Sequence, residues 1–409
     1  MAPGPLTALR RTARQVDAQT PDTRDRALDG LRALALLAVP LGHWMLGGFT
    51  LSPDGALHNA SPLSSLGFFA PLSWLLQMLG VFFLVGGHSS VRSLERARAR
   101  GTGAADWLRA RSVRLLRPVL GVAAVWALLI PLLHRLGVPE GTVRTGSVLV
   151  VQPLWYIAVY LGLTALTPLC VAAARRFGGW SAGVLLGSVA VVDVLRYGPW
   201  AHAVPSWVAL LNILPGWLFA YQLGVLWARG GLGRRTAKVL LLGGGALFAV
   251  LLLVFHYPAS MVGVPGAERT NSHPPSLLVL ALAAVQCGAA VLLKERIGRA
   301  LRRPLLWLPV VLVNLSAMTI FCWHQSAMLA VAVPAGAALG AVPGLTTSPD
   351  SLVWVAGRLA LLPLFALALV AIGRSTRRFD GPWTFLSRTW KALAGAAAAA
   401  FAVYALGMV

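Results

Sequence analysis

Arg26-Ala-Leu-Asp29-Gly30-Leu31-Arg32-Ala-Leu-Ala-Leu-Leu-Ala-Val-Pro40-Leu-Gly42-His43-Trp44 opens the first long apolar stretch of the chain. About 20 apolar residues suffice to cross a bilayer. A cation and an imidazole inside such a stretch are costly and therefore functional candidates in their own right. Eleven residues at ~100° each bring Arg32 and His43 back to one helix face, roughly 16 Å apart along the axis. That face carries a cation near the membrane surface and a titratable ring deeper in.

The rest of the sequence is of the same kind. Its 409 residues are 57% hydrophobic and only 12% charged, with a mean hydropathy of +0.72, whereas soluble domains average about 25% charged residues. Apolar windows recur near 31–50, 66–87, 117–134, 152–174, 181–195, 206–227, 238–256, 275–293, 307–333, 351–373 and 392–409. The expected fold is an all-α polytopic membrane bundle of 10–11 transmembrane helices, its N-terminus cytoplasmic. Residues 1–27 read as a disordered basic cytoplasmic tail. Residues 28–409 read as a single transmembrane domain, with 392–409 as an extra C-terminal span. The first apolar run is long enough to cross the membrane and lacks a clear small-residue cleavage site, so it does not read as a signal peptide. No internal repeat is evident.

The formal net charge of +22 invites a nucleic-acid reading, but its distribution explains it otherwise. Thirty of the 35 Lys and Arg residues fall in the tail, at the entrance of the first window, or in the alternate loops that share the tail's side of the membrane. Cytoplasmic loops carry such an excess, so the charge is topological, and anionic lipid headgroups are its natural partners. Nucleic acid is excluded as a partner on this reading. Thirty-two of the 35 basic residues are Arg, beside abundant Ala, Gly, Leu and Val, a bias that suits a GC-rich bacterium and its plasma membrane. Cys170, Cys287 and Cys322 lie singly inside apolar runs and suggest neither a disulfide framework nor a metal site.

Few polar groups interrupt the windows. A neutral imidazole such as His43 can act as a general base toward a hydroxyl, or it can simply bond to a neighbouring helix. Arg32 can be functional or an anchor that snorkels to the headgroups, and Asp29 stands at ion-pair spacing from it. The second window ends in Phe82-Phe83-Leu84-Val85-Gly86-Gly87-His88-Ser89-Ser90, where paired glycines permit close backbone approach. Arg111, Arg114 and Arg117 recur every three residues before Pro118. Their forked guanidinium groups suit a phosphate-rich ligand such as a nucleotide-bearing thioester, although membrane anchoring also accounts for them. The fourth window carries Gln152-Pro153-Leu154-Trp155-Tyr156-Ile-Ala-Val-Tyr160, either an interfacial aromatic belt or part of a pocket. The ninth carries Phe321-Cys322-Trp323-His324-Gln325, a second deep histidine beside an amide. Asp193 and Arg358 are lone charges inside two further windows and could be each other's partners. Phosphate-binding Gly-Lys loops, Cys-x-x-Cys, His-Glu-x-x-His and Gly-x-Ser-x-Gly patterns are missing.

Taken in order, these segments resemble the membrane acyltransferase-3 family, integral proteins that O-acylate cell-surface sugars, lipids and natural products. The resemblance runs from Leu28-Asp29-Gly30-Leu31-Arg32 and His43 through Phe82–Gly87, Arg111–Pro118 and Leu154–Tyr160 to Phe321–Gln325, covering residues 26 to about 373. It departs at Gly86-Gly87-His88, where the family more often has Ser-Gly-Phe, and in a last window beyond the usual ten. The resemblance implies an acyl-CoA co-substrate, expected to be acetyl-CoA, and no permanently bound cofactor. It implies a catalytic His43, a donor-positioning or structural Arg32, and donor binding by Arg111, Arg114 and, less directly, Arg117. The acceptor is expected to be a hydroxyl of a sugar, glycolipid or secondary metabolite. Trp155, Tyr156, Tyr160, Trp323, His324, Gln325, His88, Asp193 and Arg358 are the candidates for lining the substrate pocket. The rival reading is an exporter of a hydrophobic or acylated metabolite, built on the eleven spans and the possible Asp193/Arg358 pair.

Overall fold

The computed structural model describes residues 4–199, 201–267, 269–384 and 386–407. Within them the chain is a helical bundle with one small hairpin. Helix α1 (Pro5–Ala18) is followed by α2 (Arg26–Leu46). The Asp25 side chain starts α2 by accepting a hydrogen bond from the Leu28 amide, one of the donors a helix N-terminus leaves free. Past α2 the backbone turns extended and forms an antiparallel hairpin, β1 (Gly48–Leu51) paired with β2 (Leu57–Ala60). A short α3 (Ala70–Leu76) leads into α4 (Leu79–Ala99) and the long α5 (Ala104–Arg135).

Proline then punctuates the path. Helix α6 (Glu140–Val151) gives way to a 3-10 turn at Gln152-Pro153-Leu154 before α7 (Trp155–Ala165), and Pro168 stands at the start of α8 (Thr167–Phe177). A proline lacks the amide hydrogen that would continue the previous helix. The single expected span at 152–174 is therefore a 3-10 turn and two helices, α7 and α8, with the further helix α6 before it. The remaining helices are α9 (Trp180–Tyr197), α10 (Ile213–Ala228), α11 (Arg234–Leu253) and α12 (Leu277–Ala300). The expected span at 307–333 breaks at Ser316 into α13 (Pro304–Leu315) and α14 (Ala317–Leu339). The chain ends with α15 (Leu352–Thr376) and α16 (Arg388–Leu406).

Among the described residues, nine helical segments are long and apolar enough to cross a membrane. With α2 and α16, which fall outside that set, they occupy the eleven windows read from the sequence. Asp29, Arg32, Gly42 and His43 dilute the apolar character of α2, yet its 21 residues reach ~31 Å, enough to span. Helix α16 packs along α5 and α6, with Phe401 buried against the Trp126 ring; residues 408 and 409 of that window lie outside the described set.

The tail expected to be disordered is instead helical over Pro5–Ala18, and residues 1–3 of it lie outside the described set. Helix α1 lies against α13, Trp307 donates its indole N–H to Thr20 (2.8 Å), and Arg26 reaches both Asp17 (2.6 Å) and the Leu301 carbonyl (3.0 Å). Composition makes the segment polar, but these anchors lie in the other partner, at residues far along the chain.

Two helices meet more closely than side chains normally allow. A Cβ on Gly87 of α4 would fall 2.2 Å from the Tyr221 carbonyl oxygen, and one on Gly224 of α10 would fall 2.0 Å from that of Leu84. Small residues permit this contact in a medium where packing, not water exclusion, drives helix association. Gly224→Ala is expected to cost about 1–3 kcal/mol through overpacking, seen as a lowered thermal midpoint in detergent. Gly243→Ala, whose Cβ meets nothing within 4 Å, should leave the midpoint where it is.

Candidate active site

Helix α2 carries His43 one turn before its end, and α14 crosses it there. The Gln325 amide nitrogen lies 3.1 Å from His43 Nδ1, and the imidazoles of His43 and His324 have centroids 5.0 Å apart. Trp44 donates its indole N–H to the His324 carbonyl (3.0 Å). His324 Nδ1 lies 2.7 Å from the carbonyl of Phe321, one turn earlier on α14. Both partners in these bonds are shielded from water: His324 is 0% and Gln325 2% exposed. Helix α5 joins the same turn, since Trp126 donates to the Ser326 hydroxyl (3.0 Å). Four hydrogen bonds thus converge on Phe321–Ser326.

From this cluster, aromatic rings lead toward the arginines. Phe321 packs on Tyr156 (centroids 5.4 Å), Tyr156 stacks on Tyr160 (6.1 Å), and Arg111 donates to the Tyr160 hydroxyl (3.4 Å). Gly86 makes room, because a Cβ there would fall 2.8 Å from the Tyr160 ring. The Arg111 guanidinium also lies over Trp107 (5.3 Å). Arg32 donates to the Ser89 hydroxyl (2.9 Å) and sits 3.7 Å from Asp29, which also pairs with Arg24 (2.6 Å). A carboxylate shared by two guanidiniums holds Arg32 at the foot of α2. The Tyr156 hydroxyl is buried without a partner, as is Arg111 Nε.

Other candidates lie elsewhere. Arg114 is exposed and Arg117 half-buried, so only Arg111 of the stripe is drawn against the aromatic line. Trp155 packs on Trp217 (5.5 Å) and His273 (4.6 Å), on the far side of Tyr156. Trp323 is buried in the core. His88 packs on Trp227 (5.2 Å), and the Lys294 ammonium also lies over the Trp227 ring (5.2 Å). The possible Asp193/Arg358 pairing is corrected by their actual partners. Asp193 accepts from Asn212 (2.9 Å), Tyr257 (3.1 Å) and the Leu277 amide (2.7 Å), with Arg196 at 3.6 Å. Arg358, fully buried, donates to the Gly47 carbonyl (3.0 Å) at the end of α2 and lies between the rings of Trp354 and Phe365. Each charge found a neighbour nearer in the fold than the other.

Three contributors escaped the sequence reading. Trp44 stood beside His43 in the quoted stretch but carried no partner until α14 was placed. Ser89 lay in the quoted end of the second window, midway along α4, and its bond to Arg32 needs the tertiary structure. Asp380, just past α15, accepts from the Thr319 hydroxyl of α14. Burial raises its carboxyl, while Thr319 and Arg377 act in the opposite direction.

The model of a known family, described as an acyltransferase domain (Acyl_transf_3), matches residues 25–373. The chain belongs to this family. The match begins at the cap of α2 and ends within α15, so it contains the whole His43–His324–Gln325 cluster and leaves out α1 and α16. No curated protein and no solved structure matches the chain. The protein is a multi-pass membrane O-acyltransferase. In this acyltransferase Asp193 is a satisfied structural carboxylate outside the cluster. Asp193→Asn is expected to lower stability by about 1–3 kcal/mol by disturbing buried hydrogen bonds, while the turnover of the folded fraction stays at the parent value.

Proposed function

We propose that the protein moves an acyl group, acetyl in the simplest case, from acyl-CoA to a hydroxyl of a sugar, glycolipid or secondary metabolite in a bacterial plasma membrane. The observation that carries this reading is the continuous line from Arg111 through Tyr160, Tyr156 and Phe321 to the His324–His43 pair. On the positive-inside reading the Arg111 end faces the cytoplasm, where coenzyme A thioesters are found. Arg111, with Arg114 and Arg117 farther out, would hold donor phosphates by charge-assisted hydrogen bonds. Arg32 would stand beside the passing thioester arm, anchored by Ser89 and Asp29.

His43 is the proposed base. With the Gln325 carbonyl turned to Nδ1–H, His43 Nε2 carries the lone pair and takes the proton of the acceptor hydroxyl as its oxygen attacks the thioester carbonyl. The new C–O bond forms, the C–S bond breaks, and the proton passes to the departing thiolate sulfur. The Tyr156 hydroxyl is a buried donor without a protein partner, the type of group that stabilises developing oxyanion charge. The exporter alternative loses one of its two grounds, since Asp193 and Arg358 have separate partners; its other ground, the many spans, suits an acyltransferase equally.

Two experiments follow. Purified protein in lipid nanodiscs, given radiolabelled acetyl-CoA and an extract of candidate acceptors, should label a hydroxyl-bearing product. His43→Ala should fold and lower that rate by roughly 10²–10⁴-fold, the usual contribution of a general base; a parent-like rate would remove His43 from the chemistry. Arg111→Gln should raise the donor KM roughly tenfold or more, the value of about 1.5–3 kcal/mol for a hydrogen bond to a charged group, with kcat little altered. An unchanged donor KM would place coenzyme A elsewhere.

A further inference from the structure

We propose that His324 is a positioning residue for His43, whose free Nε2 lone pair receives an N–H of the imidazolium formed during acyl transfer. The proposal deepens the reading above and rests on His43 as the base.

The tautomer of His324 follows from its partner. The Phe321 carbonyl, 2.7 Å from Nδ1, can only accept, so Nδ1 carries the ring proton and Nε2 the lone pair. That lone pair is buried without any partner, on a residue with 0% exposure. Buried acceptors are normally filled, and an exception calls for an explanation. A second one lies next to it in sequence: Gln325 Oε1 is also buried and unfilled, on the same amide whose nitrogen contacts His43.

Both vacancies border the one residue whose hydrogen-bonding needs change during the reaction. Neutral His43 has one ring N–H. The imidazolium has two and bears a positive charge. Among the described residues no carboxylate forms an ion pair with His43; Asp29 is held by Arg24 and Arg32, and Asp380 by Thr319. A protonated His43 therefore depends on neutral acceptors. The Gln325 carbonyl takes Nδ1–H after the amide turns over. The His324 lone pair, on a ring whose centroid lies 5.0 Å from that of His43 and which is not bonded to it at rest, shares the new Nε2–H with the oxygen that delivers the proton and then with the thiolate that takes it back. Interactions that strengthen only when charge develops accelerate the chemical step. The balance is simple: the acceptor hydroxyl gives its proton to His43 as the C–O bond forms, and the thiolate takes it back as the C–S bond breaks. His324 gains and loses no proton over the cycle.

Two substitutions separate this role from a structural one. In His324→Asn, the side-chain amide nitrogen lies level with Nδ1 and can keep the bond to Phe321, but nothing replaces Nε2. In His324→Gln, the longer side chain brings an oxygen acceptor to the level of Nε2. With acetyl-CoA as donor and the full chain in nanodiscs, the Asn variant should keep the parent thermal midpoint and donor KM while kcat falls about 100-fold. The Gln variant should recover about tenfold of that loss. A folded Asn variant with parent kcat, or one no slower than the Gln variant, overturns the proposal. If the Asn variant does not fold, the Gln variant decides: an active enzyme within tenfold of the parent is expected, and a folded, inactive one contradicts it. Failure of both to fold assigns His324 to structure alone and also overturns it. His43→Ala in parallel separates the two failures, because an active His43→Ala protein sinks the base reading itself.

Discussion

His43 and Trp44 are neighbours on α2, and both bond to one turn of α14: the ring of one to the Gln325 amide, the indole of the other to the His324 carbonyl. The Trp44 bond is fully buried and the His43 bond partly so. Hydrogen bonds between helices in a membrane are worth roughly 0.6–2 kcal/mol each. Their larger effect is geometric. Two bonds from consecutive residues fix both the height and the rotation of α2 against α14, and so fix where the imidazole of His43 lies. Arg358 secures the same helix at its last turn through Gly47, while Arg32, Asp29 and Arg24 secure its first. Helix α2 is held at three levels by polar contacts, and His43, the proposed base, stands between the first and the last of them.

That arrangement reconciles two needs that oppose each other in lipid. Acyl transfer requires unfilled donors and acceptors at the reacting centre, and an apolar interior penalises each of them. The protein limits the cost by sharing the polar groups along a narrow line bounded by aromatic rings. Phe82, Phe83, Tyr156 and Phe321 pack edge or face against one another, giving the line rigid walls without adding charge. The phosphate-binding type of side chain, Arg111, appears only at the end of that line. The outer end is marked by Trp155, in contact with His273 of the segment between α11 and α12.

Much of this was legible in the sequence, and the reasons differ by residue. The eleven windows were visible because bilayer thickness dictates the length of an apolar run, and the fold inherits that length. The motif around Phe321–Gln325 stood out because an imidazole and an amide at depth have no structural excuse. The breaks at Pro153 and Pro168 were in plain sight but masked by the hydropathy around them, which is why one span was read where a turn and two helices stand. The partners of Asp193 and Arg358 could not be read, since a lone charge announces that it needs a partner without naming it. The helix at Pro5–Ala18 was hidden for a related reason: the anchors of its polar sequence lie in Trp307 and Leu301, about 290 residues on. Arg111, Arg114 and Arg117 were indistinguishable as a stripe, and only the position of Tyr160 singles out the first.

The account turns on where the thioester travels. A photoreactive acyl-CoA, with a diazirine at the end of its acyl chain, reports this directly when bound to the intact protein in nanodiscs, illuminated and mapped by peptide mass spectrometry. The predicted result is labelling on α7 near Tyr156 and on α14 between Phe321 and Gln325, suppressed by excess coenzyme A. Labelling confined to the lipid-exposed faces of α11 or α13, indifferent to coenzyme A, would contradict the account.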